Sequence, residues 1–187
     1  MRIISGKFKG RRLLAPEGRD IRPTADRARE SIFNILSHAA FAPGIEGAAV
    51  IDVFAGTGAL GLEALSRGAA PVTFIDIDDV ARATILKNAG SMGQARAVTV
   101  LRLDATKMPP PPRIAGCPAK LAFLDAPYDQ DITGPALLSL LARGWVGEGS
   151  LCVAETPAGR PFDPPRGYTL EEQRTYGKAL VSFLGVN

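Results

Sequence analysis

The apolar positions fall into short runs whose period changes along the chain. Residues 48–54, Ala-Ala-Val-Ile-Asp-Val-Phe, are almost continuously apolar, the pattern of a strand buried on both faces of a sheet. Comparable runs predict strands over 71–75, 98–103, 121–124 and 151–155, and between them lie helical segments over 59–67, 80–89 and 136–142. Gly68 stands where a helix-closing glycine belongs. Strand and helix alternate, which predicts an α/β fold with a mainly parallel sheet and helices on both faces. After Asp163-Pro164-Pro165 the pattern becomes two strand-like runs, 169–175 and 179–184, joined by Tyr176-Gly177-Lys178. These predict an antiparallel hairpin added at the sheet edge.

The N-terminal stretch reads differently. Over residues 1–23 short apolar groups (Ile3-Ile4, Phe8, Leu13-Leu14) are interleaved with basic residues and glycines, as in a small hairpin or extended arm. From Ala25, residues Ala28, Ile32, Ile35 and Leu36 follow helical spacing, with Arg27, Arg29 and Glu30 expected on a polar flank and the helix ending near 38–40. The four prolines 109–112 predict a stiff connector. With no repeat in view, the organisation expected is a basic arm and helix over 1–40 followed by one α/β domain over 41–187.

Charge sharpens that division. The 187 residues carry a net charge of +3, too mild a bias to name a partner. Residues 1–30, however, hold nine basic and four acidic side chains, so the positive character belongs to one end. Cys117 and Cys152 are too few and too far apart for a disulfide framework or a zinc pair, and no run approaches the roughly 20 apolar residues of a membrane span. A cytoplasmic protein without a membrane partner is expected. A single histidine, His38, removes His-paired metal sites and leaves histidine-based nucleophilic catalysis resting on one residue. A surface or capping role near a helix end is the simpler expectation for it. No metal is expected.

The candidate chemistry begins at Asp52-Val53-Phe54-Ala55-Gly56-Thr57-Gly58-Ala59-Leu60-Gly61, which satisfies G-x-G-x-x-G between a strand and a helix, with Asp76 twenty residues beyond Gly56. The glycines let the backbone approach a ligand closely, and the later acid accepts from ribose hydroxyls. Asp52 argues against a pyrophosphate, because a carboxylate there adds like charge at a cost of about 1 kcal/mol or more. S-adenosylmethionine, with a sulfonium, an ammonium and no phosphate, suits acids better. Asp104, after the third strand, is then expected to accept from the adenine amine, with Phe54, Ile77 and Ala105 counted in the same pocket. At the end of the fourth strand Asp125-Ala126-Pro127-Tyr128 offers a carboxylate and a carbonyl to a planar amine and an aromatic ring to stack on its base. Such a site works by positioning and electrostatics. Trp145 is expected to pack rather than to recognise a base.

The glycine loop with Asp-Ala-Pro-Tyr resembles the class I amino-methyltransferases, whose fourth-strand motif is usually Asp/Asn-Pro-Pro-Tyr/Phe. Here Ala126 replaces the first proline, keeping the carbonyl while losing the fixed φ. The segments Arg2-Ile3-Ile4-Ser5-Gly6, Lys9-Gly10-Arg11, Arg22-Pro23-Thr24, Asp26-Arg27, Arg29-Glu30, Phe33-Asn34-Ile35-Leu36 and the run over 60–69 extend this to almost the whole chain. They are similar to the bacterial small-subunit (16S) ribosomal RNA guanine-N2 methyltransferases, the RsmD family.

That resemblance implies a Rossmann-like class I fold with a seven-stranded, mainly parallel sheet. It implies transfer of a methyl group from S-adenosylmethionine to guanine N2 in 16S ribosomal RNA, free or in the 30S particle, by a monomer. Asp125, Ala126, Pro127 and Tyr128 would form the catalytic cradle, and Asp52, Phe54, Gly56, Gly58, Asp76, Ile77, Asp104 and Ala105 the cofactor site. Lys9, Arg11, Arg22, Thr24, Arg27 and Arg29 would meet RNA, although some of these arginines are also expected to pair with Asp20, Asp26 and Glu30. A methyltransferase for DNA adenine or a protein amide, an NAD-dependent oxidoreductase and a non-catalytic RNA-binding module remain as alternatives.

Overall fold

Seven strands form one sheet in the order β3-β2-β1-β4-β5-β7-β6 in the computed structural model, which describes residues 1–15, 23–128 and 130–187, without the side chains of 23–25. The strands are β1 (Val50–Val53), β2 (Val72–Ile75), β3 (Val98–Leu101), β4 (Leu121–Asp125), β5 (Leu151–Pro157), β6 (Tyr168–Tyr176) and β7 (Ala179–Val186). The first five are parallel, and β7 enters antiparallel beside β5 with β6 outside it. The expected hairpin is therefore present, and its second strand is the one that joins the sheet. The order reverses between β1 and β4, so the carboxyl ends of these two strands flank the crevice where open α/β sheets hold ligands.

Among the described residues four α-helices, α1 (Pro23–His38), α2 (Ala59–Ser66), α3 (Asp79–Ser91) and α4 (Thr133–Ala142), cover both faces. Alternation along the strands divides the core. Val50, Phe74, Phe123, Val153 and Phe183 face α1, α2 and α3 through Phe33, Leu62 and Ile85. Ile51, Val53, Leu124, Cys152 and Leu184 face α4 through Leu137 and Leu140. Full burial of side chains of this kind contributes about 1.5–3 kcal/mol each. Trp145 packs in the second layer, wholly buried, with its indole N–H donating to the Pro109 carbonyl at 2.7 Å. The stiff connector is thereby tied to the core. β3 stops at Leu101, two residues short of the expected end, because Asp104 opens a 3-10 turn over Ala105–Lys107.

The N-terminal arm is a hairpin held to the body by buried polar side chains. An isolated antiparallel bridge joins Arg2 to Arg12. Glu63, fully buried on α2, accepts from the backbone N–H of Ile4 at 2.7 Å and of Ser5 at 3.0 Å, and from Arg67 Nε at 2.9 Å. Ser66 accepts from the Phe8 N–H at 2.9 Å and donates to the Ser5 carbonyl at 2.6 Å. Asn88, buried on α3, accepts from the Leu14 N–H at 2.7 Å and donates to the Thr57 carbonyl in the glycine loop at 2.9 Å. Burying these groups without partners would cost about 1–3 kcal/mol apiece, so the pairing fixes the arm's position over α2 and α3.

Candidate active site

A cleft of about 610 Å³ opens at the carboxyl ends of the parallel strands, lined by Phe54, Ile75, Asp76, Ile77, Asp78, Leu103, Asp104, Ala105, Thr106, Asp125, Ala126, Pro127, Tyr128, Gln130 and Ile132. Four of these are carboxylates, and none is lysine or arginine. Such a wall attracts a cation and repels a phosphate.

The glycine loop shapes one side. Phe54 has φ 57°, a left-handed conformation costing about 1–2 kcal/mol for a non-glycine residue. It directs the chain away from β1 and into the cleft wall. Gly61 is needed for packing, because a Cβ there would lie 2.4 Å from Phe74 Cε1. Asp76 accepts from the Gly56 N–H at 2.8 Å through one oxygen and from the Asp78 N–H at 2.9 Å through the other. It therefore braces the loop from the end of β2 while facing the cleft. Asp104 Oδ1 accepts from the Thr106 N–H at 2.9 Å and from its hydroxyl at 2.7 Å. These bonds hold its carboxyl below the usual carboxylate range, so it stays ionised.

Asp52 departs from expectation. It lies on β1 beneath α2, 1% exposed, and Oδ2 accepts from the Gly61 N–H at 2.8 Å. It does not line the cleft. Burial pushes its pKa well above the ordinary value, with the Gly61 N–H opposing and the Asp125 and Asp76 charges adding to the rise. The acids that face the ligand space are Asp76, Asp78, Asp104 and Asp125. Gly56 and Gly58 likewise shape the loop from behind the lining residues.

Asp52 makes the stability of the fold depend on pH. A raised native pKa means that the unfolded chain releases this proton first as pH climbs from about 4. The stability it contributes is present below that value and is lost as pH rises through the native pKa. Asp52→Asn keeps an acceptor for Gly61 without the charge. Urea unfolding at pH 5 and pH 8 is expected to show wild type falling relative to the variant at the higher pH; parallel behaviour would contradict the assignment.

At the other side of the cleft β4 ends in Asp125, followed by buried Ala126 and exposed Pro127 and Tyr128. The Tyr128 hydroxyl donates to Glu155 on β5, the residue paired with Asp125. The acid, the carbonyl-bearing turn and the ring expected from the sequence thus meet at one strand end.

The basic residues divide. Lys7, Lys9, Arg11 and Arg12 line an open groove with Phe8, Leu14 and Ser91, and Arg27 is exposed on α1. Arg29 is a correction to the expected RNA contacts: it is 4% exposed, and Nη2 donates to the Arg2 carbonyl at 2.7 Å and to Asp26 at 3.1 Å. Its positions relative to Ile32, Phe33 and Leu36 place it on the buried stripe, and burial lowers its pKa. The pairing of an arginine with Asp26 is as expected. Arg22 and Asp20 lie outside the described residues, and of Thr24 only the backbone is described. His38 is exposed on α1, its Nδ1 2.8 Å from the Asn34 carbonyl.

Sequence reasoning did not single out Glu63, Ser66, Asn88 or Glu155. The first three signalled themselves as polar residues on otherwise buried helix faces. Glu155 lies within β5, level with Asp125, a register that only the paired strands reveal.

The family described as "Conserved hypothetical protein 95" matches residues 1–185. The chain belongs to that family. It is the RsmD family, to which the N-terminal signature pointed. The protein of Escherichia coli (strain K12) named "Ribosomal RNA small subunit methyltransferase D" is 34% identical over 181 residues, covering 95% of this chain and 86% of its own. The Haemophilus influenzae protein of the same name is 33% identical over 188 residues, covering 98% and 91%. A solved structure titled "Putative methyltransferase yhhF from Escherichia coli" superposes with a TM-score of 0.81 at 30% identity, covering 100% of this chain and 98% of that one. The family's sheet, with its reversal at β1 and β4 and its terminal hairpin, is the class I methyltransferase fold.

Proposed function

We propose that this protein transfers a methyl group from S-adenosylmethionine to the exocyclic N2 amine of a guanine in small-subunit ribosomal RNA. The observation that carries the reading is a cleft lined by four carboxylates and no base, ending in the Asp125–Tyr128 turn. The relatives named as ribosomal RNA small subunit methyltransferase D support the RNA substrate.

The lining fits the cofactor's chemistry. Asp76 has oxygens facing the cleft for ribose hydroxyls, Asp104 is an ionised acceptor for an adenine amine, and Ile77, 62% exposed, offers an apolar surface to the base. S-adenosylmethionine, when bound, supplies an electrophilic methyl on a cationic sulfur. Asp125 and the Ala126 carbonyl accept from the two amine hydrogens and turn the nitrogen lone pair toward the methyl. Asp125 also stabilises the positive charge that develops on nitrogen, and Tyr128 stacks on the base. The groove of Lys7, Lys9, Arg11 and Arg12, with Arg27, meets RNA phosphates. A pyrophosphate cofactor would face the acids with no compensating cation among the described lining residues, which disfavours the oxidoreductase reading. We take it to act in the cytoplasm, as a monomer, on free RNA or the 30S particle.

Tritiated methyl transfer to small ribosomal subunits, naked 16S RNA, DNA and protein tests the substrate class. Label in ribosomal RNA alone, weakening steeply between 50 and 200 mM salt as phosphate contacts require, is expected. Label in DNA or protein alone would overturn the reading.

A further inference from the structure

The strand register sets another acid beside the amine cradle. β4 and β5 are parallel and pair Asp125 directly with Glu155, so the two side chains project from the same face at the same level of the sheet, about 4.8 Å apart at the backbone. Glu155 is half-buried and accepts the Tyr128 hydroxyl. Methyl transfer as described above employs Asp125, Ala126 and Tyr128 and leaves Glu155 without a task.

Nucleobase chemistry supplies one. Guanine carries a second donor, N1–H, next to its N2 amine on the same edge. Adenine and cytosine carry a ring-nitrogen lone pair next to theirs. A carboxylate adjoining the cradle therefore attracts guanine and repels the other two. Its two oxygens have about four acceptor sites, enough to take the tyrosine hydroxyl and a base N–H together. Tying the hydroxyl to the same acid also fixes the plane of the Tyr128 ring relative to that edge.

We infer that Glu155 is the specificity-determining residue for guanine, accepting from the base N1–H while it orients Tyr128. The inference rests on the guanine-N2 reading given above and names the side chain that would enforce it. Asp125 holds the reacting amine, and Glu155 reads the neighbouring ring position.

The test compares two bases at the mapped target position, introduced by ligating a synthetic RNA fragment into the small-subunit RNA before assembly. One is guanine; the other is 2-aminopurine, which keeps the N2 amine but has a lone pair at N1. Single-turnover transfer by the wild-type protein is expected to favour guanine by about tenfold or more, the scale of one charge-assisted hydrogen bond. Glu155→Ala is expected to bring the ratio close to one. Both substrates are read on one enzyme preparation, so loss of folded protein lowers both rates and leaves the ratio unmoved. A Glu155→Ala variant that keeps the wild-type ratio overturns this inference alone. Wild-type protein that places no methyl on guanine N2 overturns the underlying reading and this inference with it.

Discussion

Replacing Asp125 with alanine is expected to slow methyl transfer by about 100- to 1,000-fold, the usual cost of removing one preorganised polar group from a reacting centre. S-adenosylmethionine affinity, measured by calorimetry, is expected to stay within a few-fold. The separation follows from geometry. The loop bonds from Gly56 to Asp76 and the Thr106 bonds to Asp104 do not involve Asp125, so the cofactor side of the cleft stays assembled. At the other side the amine would lose its anionic acceptor and keep only the Ala126 carbonyl. Unchanged transfer by the variant would remove Asp125 from the centre of the chemistry. Cofactor binding lost to the same extent as transfer would make it a cofactor residue instead.

The second large effect is expected at Gly6. Its φ is +78°, and a Cβ there would sit 1.9 Å from the Ser66 carbonyl oxygen and 2.4 Å from its carbon. Both atoms are backbone at the end of α2, so they cannot swing aside. Gly6→Ala must lift the hairpin and strain three bonds to Ser66: Lys7 N–H to its carbonyl, Phe8 N–H to its hydroxyl, and that hydroxyl to the Ser5 carbonyl. At about 1 kcal/mol per bond plus about 1–2 for the left-handed backbone, the loss is about 4–5 kcal/mol. Gly10 supplies the comparison: its φ is +83°, but nothing lies within 4 Å of an added Cβ. Gly10→Ala is expected to cost only the backbone component, about 1–2 kcal/mol. Urea unfolding of the two variants checks the difference, and equal losses would mean that the contact with Ser66 does not anchor the arm. RNA affinity should fall with Gly6→Ala, because the basic groove is built on that hairpin.

Much of this architecture was legible because strands buried on both faces leave long apolar signatures. The 48–54 run, the alternation of elements and the terminal hairpin all appear in the sheet, with ends shifted by a few residues. Strand-end acids were legible in the same way, since the carboxyl edge of a parallel sheet collects ligand-binding side chains. What periodicity could not show was which way an acid faces within a strand. Asp52 has the right chemistry for a cationic ligand, but alternation along β1 turns it beneath α2, where it accepts from the Gly61 N–H. Arg29 differs for a related reason: its charge suggests the polar flank, whereas its spacing from Ile32, Phe33 and Leu36 puts it on the buried stripe. Glu63, Ser66 and Asn88 act on backbone groups about 60 to 74 residues away, contacts that no local pattern records.

The central claim is tested most directly by incubating the protein with S-adenosylmethionine and unmethylated small ribosomal subunits, digesting the RNA to nucleosides and identifying the product by mass spectrometry. On the proposed function, N2-methylguanosine at one site is the expected product. N6-methyladenosine, methylated protein, or no product from enzyme shown to bind the cofactor would contradict it.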